Sequence, residues 1–174
     1  MKKLILILAI ALLPLFGIAQ SIFSQFEDND KVTTVVVNKK TFEMMSKITV
    51  DDQDAQEMID LIKGLDKLQV YTTEDAVIGA EMKGVIDSYL KKSKLSELLR
   101  VNDKDAKVKI FVKEGRNDNH VTELLMLVNE IKAGGQGAPE TVIISITGDV
   151  YLDKISSLIN QMNISGGEHL KTKN

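Results

Sequence analysis

The apolar residues divide the chain into segments of different period. Leu4 to Phe16 is almost wholly apolar, with Lys2 and Lys3 before it and Gly17-Ile18-Ala19 after it. A basic start, a short apolar run and small residues ahead of Gln20 read as a cleaved secretory signal peptide over residues 1–19. A membrane anchor fits less well, because a span needs roughly 20 apolar residues and Pro14 interrupts this run. Residues 20–30 form a polar-and-aromatic lead-in that ends in Glu27, Asp28 and Asp30.

From Val32 the period alternates. Val32 to Val37 is rich in β-branched residues and reads as a strand. Phe42, Met45 and Ile48 have helical spacing, and so do Ala55, Met58, Ile59 and Ile62, with Asp51 and Asp52 placed to cap and Gly64 placed to stop. Leu68, Val70 and Thr72 alternate with Gln69, Tyr71 and Thr73 as in a half-buried strand. Asp75 opens a helix whose stripe is Ile78, Met82, Val85, Ile86 and Tyr89, with Gly79 and Gly84 as weak points.

The second half is strand-rich. Glu97–Val101, Lys107–Lys113, Val121–Val128 and Thr141–Thr147 read as strands, separated by polar turns at residues 102–105 and 115–119 and by the glycine-bearing Ala133–Glu140. In the second of these, Val108, Ile110 and Val112 share one face, while Lys107, Lys109, Phe111 and Lys113 share the other, which reads as wet. The last strand is apolar at Val142, Ile143, Ile144 and Ile146, as a central strand would be. Gly148-Asp149 then reads as a corner into a final helix that buries Tyr151, Ile155, Leu158, Ile159 and Met162, with Gly148 turning and Asp149 capping. The order β-α-α-β-α-β-β-β-β-α predicts an α+β two-layer sandwich, a mostly antiparallel sheet with helices packed on one face. Residues 31–164 make one domain, and residues 165–174 a flexible tail.

Composition narrows the chemistry. Removing 19 of the 174 residues leaves 155, enough for one domain with a core. Loss of Lys2 and Lys3 moves the formal charge from −3 to −5, which gives no electrostatic reason to bind nucleic acid. With no cysteine, the chain has no disulfide, no thiolate chemistry, no Cys-based metal site and no lipoprotein anchor.

No catalytic, cofactor or metal constellation stands out. Gly148 is a single glycine beside an acid, unlike a phosphate loop. His120 and His169 have no second ligand at metal spacing. Asp51, Asp52 and Asp54, and Asp103 and Asp105, lack the glycine and closing Glu of a calcium loop. The strongest candidate for surface recognition is the basic stripe Lys107, Lys109 and Lys113 around Phe111, which would suit an acidic partner or a glycan.

The segments "VNKKTFEMMSKI", "ELLRV" before "KVKIFVKEG", "VTELLMLV" and "ISITGDVYLDKISSLINQM" resemble small exported proteins of Bacteroidetes grouped as domain of unknown function 4252. The resemblance runs from about Phe26 to Met162. It implies an envelope location and a single domain, and transfers no residue role. The expected function is therefore that of an exported, non-enzymatic binding module, periplasmic or extracellular, with an envelope protein or component as partner. A carrier of a small apolar ligand between helices and sheet is the alternative, and a hydrolase with dispersed carboxylates the least favoured reading.

Overall fold

The computed structural model describes residues 22–48, 53–104, 106–117, 119–131 and 139–151, with the side chains of Gln53, Asp54 and Glu57 left out. The expected signal peptide, Asp51, Asp52, Asp105, most of the Ala133–Glu140 loop, the final helix beyond Tyr151, His169 and the tail lie outside these residues. A single 3-10 turn at Ser24–Phe26 precedes β1 (Thr33–Asn38), α1 (Lys39–Met45), α2 (Gln53–Ile62), β2 (Leu65–Thr73) and α3 (Ala76–Lys92). Four strands follow: β3 (Ser96–Asn102), β4 (Lys107–Glu114), β5 (His120–Asn129) and β6 (Thr141–Tyr151). All six join in one sheet of order β1-β2-β6-β5-β4-β3, every pair antiparallel. The sheet-rich α+β architecture and the central place of β6 agree with the sequence.

The helices do not share one face of the sheet, contrary to the two-layer expectation. Phe42 of α1 and Ile62 of α2 join Val108, Ile110, Val112, Leu124, Met126, Ile144 and Ile146 in one cluster. Met82 and Ile86 of α3 join Phe23, Phe26, Tyr71, Phe111, Leu125, Leu127 and Ile143 in another. The physical reason lies in the strands: Phe111 of β4, Leu125 and Leu127 of β5 and Ile143 of β6 put apolar side chains on the face opposite Ile110, Leu124, Met126 and Ile144, so each face needs its own cover. Phe23 and Phe26 of the lead-in supply part of that cover and are almost fully buried.

This second cover reverses the reading of β2. Gln69, Tyr71 and Thr73 are the buried set, while Leu68 and Val70 are half-buried. Burial of these polar groups is tolerated because they are bonded. The Tyr71 hydroxyl donates to Glu27 Oε1 at 3.1 Å, Gln69 Nε2 donates to the Tyr71 oxygen at 2.7 Å, and Thr73 Oγ1 donates to the Lys31 carbonyl at 2.8 Å. The expected stripe on α1 also shrinks to Phe42. The helix closes at Met45, where Ser46 donates its N–H to the Phe42 carbonyl at 2.8 Å, so Ile48 lies past its end.

The stripe on α3 is as read, and Asp75 caps the helix by accepting from the N–H groups of Val77 and Ile78 at 2.9 and 3.1 Å. Lys31 donates to the other carboxylate oxygen at 2.6 Å. This lysine and the two amides hold the Asp75 carboxyl below its ordinary range. A depressed folded-state value means that the stabilisation is present above the unfolded value and is lost as pH falls through the folded one. Asp75→Asn keeps a capping oxygen but loses the charge. We expect its melting temperature to lie below wild type near neutrality and to converge with it in acid. Parallel thermal melts across that acid range check this.

Gly148-Asp149 is not a corner. β6 runs through both residues to Tyr151, because β2 and β5 continue to pair with it there: Leu65 opposes Gly148 and Val121 opposes Val150. Gly148 has φ 146°, a backbone state for which glycine is needed. Asp149, instead of capping a helix, donates its N–H to the Gly64 carbonyl at 2.8 Å.

Candidate functional site

The aromatic centre of the expected basic stripe is not at the surface. Phe111 is buried in the cluster beneath α3, with only 8% of its surface exposed. Lys107 pairs with Glu130, and Lys109 lies opposite Arg100 and Leu127 in the register. On β3, Arg100 grips Glu97 through two bonds, at 2.9 and 2.5 Å. Arg100, with Lys109 adding to it, holds the Glu97 carboxyl below its ordinary range. Lys107 and Lys109 are half-buried and Lys113 is exposed. Alternation correctly separates the two sets of β4 side chains, but Phe111 itself is covered by α3 and the lead-in, which strand periodicity cannot reveal.

The structure instead gathers charge at one end of the sheet. The α2–β2 link and the end of β6 cross there at Gly64 and Gly148. A Cβ on Gly148 would overlap the Gly64 carbonyl oxygen and lie 2.8 Å from Leu65 Cα, and a Cβ on Gly64 would overlap the Asp149 carbonyl oxygen. Over this close crossing lies a cleft of about 520 Å³ lined by Lys39, Asp60, Lys63, Asp66, Arg116, Asp149 and Tyr151, among others. Each cation there holds a carboxylate. Lys39 meets Asp66 at 2.7 Å, Lys63 meets Asp60 at 2.8 Å, and Arg116 meets Asp149. All three pairs are substantially exposed. Exposed pairs contribute at most about 1 kcal/mol each, so an incoming charged group can replace a partner at little cost.

His120 sits behind Asp149, at the start of β5. Its Nδ1 is 2.5 Å from Asn117 Oδ1, which also accepts from the Asn119 N–H at 3.1 Å. With a backbone donor on that oxygen, the imidazole must donate from Nδ1, and Nε2 of the neutral ring carries the lone pair. That Nε2 is buried without a hydrogen-bond partner and lies 4.0 Å from Asp149 Oδ1, while the ring packs on Tyr151 with centroids 4.1 Å apart. The cleft thus combines mixed charge, a carboxylate held by a guanidinium, and a close glycine crossing. Every cation in these three pairs faces an acid, so the cleft presents both signs of charge side by side.

The domain of unknown function 4252 matches residues 26–158. The chain belongs to this family. Phe26, the first matched residue, is also part of the buried core, and every cleft residue named above falls within the span of the domain of unknown function. Neither a curated protein nor a solved structure matches the chain significantly.

Sequence reasoning does not assemble this cleft. Its residues come from α1, the end of α2, β2, the β4–β5 turn and β6, and only the sheet order brings them together. Gly64 and Gly148 are the available signal, and each by itself reads as a helix stop or a turn.

Proposed function

We propose that the protein is an exported, non-enzymatic binding module that meets a protein or another component of the cell envelope through the charged cleft over Gly64 and Gly148. The observation that carries this reading is the cluster of three exposed ion pairs over the close Gly64–Gly148 crossing. Such a surface complements a partner that presents both signs of charge, and it favours steering and specificity over raw affinity. Export rests on the three-part pattern of residues 1–19. The family supplies no activity that would point to catalysis. The neighbouring geometry does not favour it either: Arg116 engages Asp149, and His120 Nε2 is held out of solvent.

The carrier reading has less support, because helix and sheet meet through packed side chains on both faces, including fully buried Tyr71, Met82, Ile86 and Ile110. A titration with an apolar, environment-sensitive dye separates the two readings. The binding module gives no saturable fluorescence gain at one site per chain. A saturable gain that also raises the melting temperature would favour the carrier.

A further inference from the structure

We propose that His120 makes the charged cleft proton-sensitive: its imidazolium draws the Asp149 carboxylate away from Arg116 and frees that guanidinium for an anionic group of the partner. This regulation rests on the reading of the cleft as the binding surface.

His120 is 6% exposed and is held from two sides. Gly115 donates its N–H to the His120 carbonyl at 2.7 Å, and His120 donates its own N–H to the Asn117 carbonyl at 3.0 Å. Asn117 Oδ1 holds the Nδ1 proton at 2.5 Å. In the neutral ring Nε2 is therefore an acceptor, buried and without a hydrogen-bond partner. The group it faces is of the wrong kind. Asp149 Oδ1, 4.0 Å away, is an acceptor too, so no hydrogen bond joins them. Imidazole is the side chain whose charge changes between pH 5 and 8. A proton on Nε2 turns two opposed lone pairs into a charge-assisted donor and its acceptor.

The surroundings decide which pair survives. From β6, Asp149 and Tyr151 face the ring, whose centroid is 4.1 Å from that of Tyr151. From the β4–β5 turn comes Arg116, its guanidinium on Asp149 Oδ2. Glu114, at the end of β4, stands opposite Val121 and is exposed, and Asp118 lies outside the described residues. Among the described residues Asp149 is thus the acid within reach of the imidazolium. The Arg116 side chain is 65% exposed, so water can replace its partner and the pair is worth little. The imidazolium Nε2 is shielded from solvent, and a buried charge left unpartnered is costly. The Asp149 side chain, 48% exposed, is not packed in place and can turn toward the ring. Three cations and three acids balance in the cleft lining while His120 is neutral. The added proton gives the cleft one net positive charge, with a guanidinium released to carry it.

Sulfate keeps its charge across the imidazole range and serves as the anionic probe. It is titrated into the purified full chain at constant ionic strength, at about pH 5.5 and about pH 8, toward the two ends of that range. The Arg116 Cζ carbon signal reports the binding. Wild type should bind sulfate several-fold more tightly at the lower pH. His120→Phe keeps a ring against Tyr151 but has no titrating nitrogen, and should bind weakly and equally at both. Asp149→Asn leaves Arg116 without its acid, so sulfate should bind tightly already at the higher pH, with most of the pH dependence gone. Equal wild-type affinity at the two pH values, no sulfate binding at either, or a pH dependence kept in folded His120→Phe overturns the proposal. Should His120→Phe fail to fold, Asp149→Asn decides: weak binding at the higher pH with the wild-type pH dependence kept overturns it. The titration needs no cellular partner, so its failure is distinct from failure of the cleft as a partner surface, which crosslinking inside cells reads.

Discussion

Gly148→Val is expected to destabilise the protein by more than about 3 kcal/mol, at the severe end for a single substitution. Two independent penalties combine. The backbone at φ 146° is one that a β-branched residue adopts only with strain. The added Cβ also has nowhere to go, since it would overlap the Gly64 carbonyl oxygen and meet Leu65 Cα at 2.8 Å and Asp66 N at 2.9 Å. These are backbone atoms, two of them in the paired strand β2 and the third holding the Asp149 N–H, and cannot swing aside. Gly64→Ala should be costly for the reciprocal reason, its Cβ meeting the Asp149 carbonyl. The two sites share one approach, so the double variant should cost less than the sum of the singles. Gly84→Ala is the control of opposite sign. Beyond its chain neighbours and the backbone of its own helix, no atom lies within 4 Å of its would-be Cβ, and alanine in a helix interior gains up to about 1 kcal/mol over glycine. Urea unfolding of the four variants measures all of this. A Gly148→Val protein as stable as wild type would mean that β2 and β6 do not cross as described.

Phe111→Ala should cost about 3–5 kcal/mol, the usual range for truncating a buried phenylalanine. The ring lies in the cluster with Phe23, Tyr71, Ile86 and Leu125, and removing it leaves an apolar void among them that water cannot fill favourably. Lys113→Ala, two residues along the same strand and exposed, should stay within about 0.5 kcal/mol of wild type. The surface-recognition reading of the stripe expects the reverse: a folded Phe111→Ala protein of near-normal stability with weakened partner binding. Denaturation curves for the two variants separate these outcomes.

The elements that are legible in the sequence are those whose signal is local. The α3 stripe from Ile78 to Tyr89 repeats at helical spacing, and Asp75 marks its start. The last four strands are each bounded by turn residues, and the turns close as expected, with Asp103 donating to the Ala106 carbonyl at 3.0 Å and Gly115 to the His120 carbonyl at 2.7 Å. What is not legible depends on what lies across the sheet. Alternation along β4 says that Phe111 and Ile110 point opposite ways, but not that Phe23 and Met82 wait above Phe111. Gly148-Asp149 has the local chemistry of a turn and a cap. Pairing with β2 and β5 overrides it and carries the strand through, so that Asp149 serves Arg116 instead of a helix. The cleft is hidden for the same reason, its cations and acids being scattered through the chain until β2 and β6 are known to be neighbours.

The measurement that bears most directly on the proposed function is photo-crosslinking inside the cells that make the protein. The crosslinker replaces Lys63 on the cleft, Lys113 on the basic stripe, or Lys91 on the exposed side of α3. The account predicts one discrete adduct from Lys63, lost when Arg116→Glu reverses the charge beside Asp149 in a protein that still folds, and no matching adduct from Lys113 or Lys91. An adduct from Lys113 or Lys91 with none from Lys63, or a Lys63 adduct indifferent to Arg116→Glu, would contradict it.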